Sequence, residues 1–176
     1  MSLGVVMKDD RLSGLTKSCV DILGKEWNYE CMGCAICNKE IIPPGDIIYD
    51  GKSCILASDP EIPIPGFLII NCKKHIRSFS ELEETERYEI VDVLYKAEKA
   101  LKKLNICNEF TIVQEERSRH LHIWIFPNYD WMIEKFGKGI SYLRDISSYA
   151  KENSNADNIE KVLKVVEEVR NIFIKL

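Results

Sequence analysis

Apolar and polar positions along the chain change rhythm three times. From Asp46 to Cys72 the apolar residues come in short runs bounded by breakers, with Pro43-Pro44-Gly45 ahead of them. DIIYDGKSCILAS reads as a β-hairpin turning at Asp50-Gly51. DPEIPIPG is a connector, because its prolines cannot donate to a central ladder. GFLIINC (Gly66–Cys72) is a continuous apolar run of strand length and predicts a buried strand. From Ser80 to about Leu104 the period becomes helical. Ser80-Glu81-Leu82-Glu83 has capping-box spacing, and Ile90, Leu94, Ala97, Leu101 and Leu104 form one apolar stripe. Acids crowd the first half of this segment and lysines the last, as the helix dipole favours. EFTIVQ (Glu109–Gln114) and RHLHIWIFP (Arg119–Pro127) predict two more strands joined by EERS.

Residues 130–176 read as helical, broken at Gly137 and Gly139. The last helix opens at Asp157-Asn158-Ile159-Glu160. It carries Ile159, Val162, Val166, Val169, Phe173 and Leu176 on one side. At about three heptads this stripe suits core packing better than a self-associating seam. Near the start, Leu15 to Leu23 predicts a short helix ending at Gly24. The order of hairpin, strand, long helix, hairpin and helical tail predicts an α+β fold with a mostly antiparallel sheet.

Composition narrows the function. At 176 residues the chain is of single-domain size and needs no disulfide staples. A net charge of -4 disfavours a DNA-coating protein but leaves room for a small nucleotide in a local basic pocket. No run approaches eighteen apolar residues, so no membrane helix is expected, and MSLGVVMKDDRL is too weakly apolar for a signal peptide. The expected compartment is the cytoplasm. Seven cysteines, an odd number, argue against a disulfide framework. Three of them, Cys31, Cys34 and Cys37, make two overlapping C-x-x-C pairs. Metal binding and buried reduced thiols both fit this spacing. A redox pair fits less well, since no thioredoxin-like βαβ pattern surrounds it.

The chain has only three histidines, yet two stand two residues apart in HLHIWIFP. On a strand Ser118, His120, His122 and Trp124 share one face, and Leu121, Ile123 and Ile125 share the core face. Two imidazoles side by side are costly unless ligated, hydrogen-bonded or exposed.

HLHIWIFP resembles the histidine-triad (HIT) signature, in which three histidines alternate with hydrophobic residues. CAICNKEIIPPGDIIYD and IPIPGFLIINCKKHI resemble the cysteine-bearing and Lys-x-His segments of bacterial HIT proteins. The resemblance covers about Cys34 to Asn128. It implies a HIT-like five-stranded sheet with one long helix packed on it. The implied organisation is an N-terminal extension (1–30), a HIT-like domain (31–128) and a helical C-terminal extension (129–176) packed on the domain or on a dimer.

The resemblance also implies a structural zinc on Cys34, Cys37, His75 and His120, with Cys31-Cys34 as the rival pairing to Cys34-Cys37. It implies His122 as a nucleophile that takes a nucleotidyl group, and a homodimer as the assembly. Substrate and phosphate contacts are expected from Ser118, Arg117, Arg119 and Trp124. The implied activity is a nucleotide hydrolase or transferase acting on a dinucleoside polyphosphate or a nucleoside phosphoramidate. The alternative is a weak or inactive nucleotide-binding or interaction module stabilised by zinc. Three departures stand out. Trp124 replaces the third histidine, Glu115 occupies the place of a phosphate-contacting asparagine, and the connection from Gln114 to His120 lacks the family's Gly-Gln-x-Val stretch.

Overall fold

The computed structural model describes residues 16–114 and 118–176. Arg117 and Glu115 therefore lie outside the described residues. Two short strands come first, β1 (Lys17–Val20) and β2 (Glu26–Tyr29), paired as an antiparallel hairpin. This corrects the short helix expected over Leu15–Leu23. The cause is Asp21, whose carboxylate accepts from the backbone N–H groups of Leu23 and Lys25 and from the Trp27 indole. With Gly24 at φ 81°, that carboxylate closes a turn where a helix would need to continue.

A six-residue helix, α1 (Met32–Cys37), leads into the main sheet. Its strands are β3 (Tyr49–Asp50), β4 (Cys54–Ser58), β5 (Leu68–Cys72), β6 (Phe110–Gln114) and β7 (His122–Pro127). They lie in the order β3-β4-β5-β7-β6, with every neighbouring pair antiparallel. The β3–β4 turn falls one residue later than expected. Asp50 is still paired, with Ile55, and Gly51 N–H bonds to the Cys54 carbonyl.

The long helix α2 (Glu84–Lys103) carries the chain from β5 to β6. Its start is capped twice, but not at Ser80. Ser78 and Glu81 form one capping box, around a 3₁₀ turn, and Glu83 and Glu86 form the next. Three helices follow the sheet: α3 (Asp130–Phe136), α4 (Leu143–Glu152) and α5 (Ala156–Phe173). No helix among the described residues is long and apolar enough to cross a membrane.

Strand alternation divides the interior into two sides. Leu68, Ile70, Leu121, Ile123 and Ile125 meet α2 and the Val162–Phe173 stripe of α5 in the larger core. Ile69, Trp124 and Phe126 point the other way, into a core with Phe67, Met132 and Ile146. A smaller cluster seats α1, through Ala35 and Ile36, over Ile55 of β4. The face that holds the histidines is thus roofed at one end by α1 and at the other by α3 and α4. The gap between these roofs is the site.

Candidate functional site

Four side chains from three segments meet at the N-terminal end of α1. Cys31, Cys34, His75 and His120 bring their ligand atoms within 4.8 Å of one another. Cys34 Sγ lies 3.1 Å from His75 Nδ1 and 3.5 Å from His120 Nδ1, and Cys31 Sγ lies 3.4 Å from His120 Nδ1. The two Nδ1 atoms are 3.4 Å apart. A tetrahedral zinc with bonds of about 2.0–2.3 Å needs ligand atoms about 3.3–3.8 Å apart, so two thiols and two imidazoles here fit that ion. His120 Nε2–H donates to the Cys72 carbonyl at 2.7 Å, which fixes the tautomer that leaves Nδ1 as the ligand atom. Burial lowers the His120 pKa and favours its neutral, ligating form. Burial, with Cys31 alongside, pushes the Cys34 thiol up to about 12, so thiolates side by side require a cation to exist at neutral pH.

Cys37 stands outside this cluster, where the expected set placed it inside, and Cys31 takes its position. The reason is helical. Cys31 is the N-cap of α1 and Cys34 lies in its first turn, whereas Cys37 is about 4.5 Å further along the axis. There Cys37 Sγ donates to the Cys72 carbonyl, and burial pushes its thiol up to about 12. Gly33 determines which turn His120 meets. A Cβ on Gly33 would sit 2.5 Å from His120 Cδ2, so the imidazole lies directly against the bare backbone between the two cysteines. The C-M-G-C spelling carries this signal and favours the rival Cys31-Cys34 pairing.

His122 is one strand step beyond His120, buried, on the floor of a cleft of about 470 Å³. Its Nδ1 lies 2.9 Å from the His120 carbonyl and 2.9 Å from Ser118 Oγ. Ser118 Oγ itself donates to the His120 carbonyl at 3.0 Å. A carbonyl only accepts, so Nδ1 carries the proton, and Nε2 holds the lone pair. Ser118 therefore sets the imidazole's orientation as well as bordering the cleft. Trp124 lines the same cleft, its ring centroid 6.4 Å from that of His122 and edge-on to Phe67 at 5.3 Å. It is half wall and half core. Arg119 is half-buried, precedes β7, which begins at His122 and not at Arg119 as expected, and does not line the cleft.

Asn71, Asp59 and the α4 residues of the cleft escaped sequence reasoning. Asn71 pairs with His122 across β5 and β7, so both side chains share one sheet face. Its signal was a polar residue near the end of an otherwise apolar strand. Asp59 follows β4 and is buried; burial pushes its carboxyl up to about 6, even though Oδ1 accepts from the N–H groups of Glu61 and Ile62. The far wall comes from α4, through Arg144, Ser147, Ser148 and Lys151.

No family model matches the chain. A HIT-like protein of Methanocaldococcus jannaschii, itself uncharacterized, is 30% identical over 115 residues, spanning 61% of this chain and 88% of the relative. A hypothetical histidine triad nucleotide-binding protein from Sulfolobus tokodaii shares the fold with a TM-score of 0.56 at 19% identity, covering 80% of this chain and 93% of that one. A Zn-bound histidine triad family protein from Mycobacterium smegmatis superposes with a TM-score of 0.52 at 13% identity, over 80% and 96% of the two chains. Five antiparallel strands, one long helix between β5 and β6, and a His-x-His segment leading into β7 beside a cysteine-bearing helix are the features that this chain's fold and site present together. With the archaeal relative covered almost end to end, the chain belongs to the HIT-like family.

Proposed function

We propose that the chain is a nucleotide hydrolase or transferase working through a nucleotidyl group carried on His122, with a dinucleoside polyphosphate or a nucleoside phosphoramidate as substrate. The supporting observation is the orientation of His122, with Nδ1–H held by a backbone carbonyl and Nε2 left as the nucleophilic nitrogen on the cleft floor. Nε2 attacks the α-phosphorus, and the bond from phosphorus to the leaving group breaks with its electron pair going to that group. The imidazole gains positive charge in this step, and the His120 carbonyl oxygen at Nδ1–H stabilises it. Water then attacks the same phosphorus, the P–N bond breaks, one water proton goes to solvent, and the neutral imidazole returns.

The nucleotide is consistent with the Sulfolobus tokodaii neighbour, described as nucleotide-binding. The zinc of the Mycobacterium smegmatis neighbour supports a structural zinc on Cys31, Cys34, His75 and His120. With four protein ligands such an ion leaves no open position and supplies cross-linking rather than catalysis. Ser118 orients His122. Any contribution from Arg117 or Arg119 to the phosphate would come from the segment before β7. The deciding experiment is mass spectrometry after mixing the protein with diadenosine polyphosphates and an adenosine phosphoramidate. A mass increase of one adenylate localised to His122 is the expected result. Nucleotide binding without any adduct would favour the second reading, a binding module, for which the loss of the third histidine speaks.

Trp124 separates leaving groups. Its indole N–H can donate a hydrogen bond but cannot transfer a proton. Trp124→Ala is expected to weaken nucleotide binding about tenfold, near 1.4 kcal/mol, because a stacking surface is lost. Trp124→His is expected to raise turnover of phosphoramidates, whose amine must be protonated to leave, relative to polyphosphates. Unchanged binding and an unchanged substrate ratio in both variants would reduce Trp124 to a packing residue.

We also propose a homodimer. On α2, Tyr88, Val91 and Tyr95 recur at three and four residues and are 66%, 60% and 58% exposed, while α5 covers a neighbouring face. Strand β6 is an open sheet edge with Ile112 exposed. Light scattering is expected to give twice the 20.3 kDa chain mass; a monomer at micromolar concentration would overturn the assignment.

A further inference from the structure

We propose that Asn71 is a catalytic residue of the cleft, its carboxamide N–H donating to a non-bridging oxygen of the α-phosphate held at His122; this rests on reading the cleft as a nucleotide site. Strand β5 is apolar from Leu68 to Ile70 and buried throughout. Asn71 interrupts that run on the cleft side and is only 5% exposed. Its neighbours on the same face are apolar. Ile69 precedes it by one strand step, and Ile55 pairs with it from β4 inside the cluster that seats α1. Among the described residues no group hydrogen-bonds to the Asn71 carboxamide, yet neither of its polar atoms is sealed from the cleft. An amide so placed is costly unless a polar partner in the cleft meets it.

The register sets where that partner lies. Cys72 N–H bonds to the Leu121 carbonyl. One position back, Asn71 and His122 therefore form a non-hydrogen-bonded pair of β5 and β7, the kind in which opposing side chains approach most closely. In such pairs the Cβ atoms are about 4.5–5 Å apart. A phosphorus bonded to His122 Nε2 carries its oxygens into the space beside the imidazole, and the amide across the pair borders that space. The base lies on the far side of the ribose, where Ile36, Ile62 and Ile69 offer apolar walls to its faces.

The chemistry suits an amide. As Nε2 bonds to phosphorus and the leaving group departs with its electron pair, the non-bridging oxygens carry negative charge. A neutral donor fixed by the sheet meets that charge without changing its own protonation. Ser118 thus acts on the imidazole and Asn71 on the phosphoryl group.

Calorimetric titration with AMP and with adenosine, on the parent, Asn71→Leu and Asn71→Ser, tests the inference. AMP affinity is expected to fall about tenfold in Asn71→Leu, as for one lost hydrogen bond to a charged group, with adenosine affinity held. Asn71→Ser keeps a hydroxyl donor and is expected to lose less. The thermal midpoint of Asn71→Leu is expected to hold or rise, because leucine suits its neighbours Ile55 and Ile69. Equal loss of both ligands, no loss of either, or a parent that binds no AMP would overturn the proposal. So would a midpoint lowered by several degrees with both ligands weakened, which marks a packing role. The covalent reading is scored separately, by the rate of adenylate transfer from saturating diadenosine tetraphosphate, which is expected to fall about a hundredfold in Asn71→Leu. A parent that forms no adduct, yet shows the AMP-specific loss on substitution, refutes the covalent reading and upholds Asn71. An adduct formed as fast in Asn71→Leu as in the parent upholds the covalent reading and refutes Asn71.

Discussion

His122→Ala is expected to abolish adenylate transfer and to lower turnover by about a thousandfold or more, with fold and metal content unchanged. The side chain is buried, but it faces a cleft rather than the sheet-helix core, so truncating it enlarges a water-accessible space instead of opening a cavity. Its Nδ1 is anchored by the His120 carbonyl and the Ser118 hydroxyl, and Ser118 Oγ already donates to that carbonyl, so the carbonyl keeps a partner when the imidazole is gone. Loss of a nucleophile removes the covalent route as a unit and leaves only what positioning contributes. His122→Gly with added imidazole is expected to recover part of the turnover, since the carbonyl and hydroxyl that orient the ring remain. Steady-state hydrolysis of diadenosine tetraphosphate, with the thermal midpoint as a control for folding, measures both. Full activity in His122→Ala would show that the strand geometry has been misread as a mechanism.

Strand alternation made His122 legible, and its limits explain what was missed. In HLHIWIFP the period of two alone assigns Leu121, Ile123 and Ile125 to the α2 side and His122 and Trp124 to the other, and the packing agrees. The stripe from Val162 to Phe173 was legible for the same reason, since a single amphipathic face needs only one partner. The N-terminal hairpin was not, because Asp21 overrides a weak helical pattern with three specific hydrogen bonds. C-M-G-C-A-I-C offers two equivalent i, i+3 pairs to any reader of periodicity. The choice between them is made by His120, 86 residues beyond Cys34, resting on Gly33. Asn71 and Arg144 were hidden in another way. Each is an ordinary polar residue until β5 pairs with β7 and α4 folds back over the sheet.

The metal cluster gives the second large effect, and it distinguishes the two cysteine pairings. Protein purified without added metal is expected to contain one zinc per chain. Cys31→Ser and Cys34→Ser are both expected to lose it, while Cys37→Ser retains it, because Cys37 donates to the Cys72 carbonyl instead of joining the four ligand atoms. Loss of the ion leaves His120 and the remaining cysteine packed together with no charge to hold them, and α1 loses its tie to the segments before β7 and after β5. The binding free energy of a structural zinc enters folding free energy directly. The large core around α2 and α5 keeps the rest of the chain folded, so the expected fall in thermal midpoint is about 10 °C. At roughly 2–4 °C per kcal/mol for a chain of this size, that is about 3–5 kcal/mol. Gly33→Ala should approach the same result with every ligand intact, since its methyl group would occupy the space of the His120 ring. Elemental analysis and thermal melts decide the matter together. Zinc lost in Cys37→Ser and kept in Cys31→Ser would restore the Cys34-Cys37 pairing that the family resemblance implies.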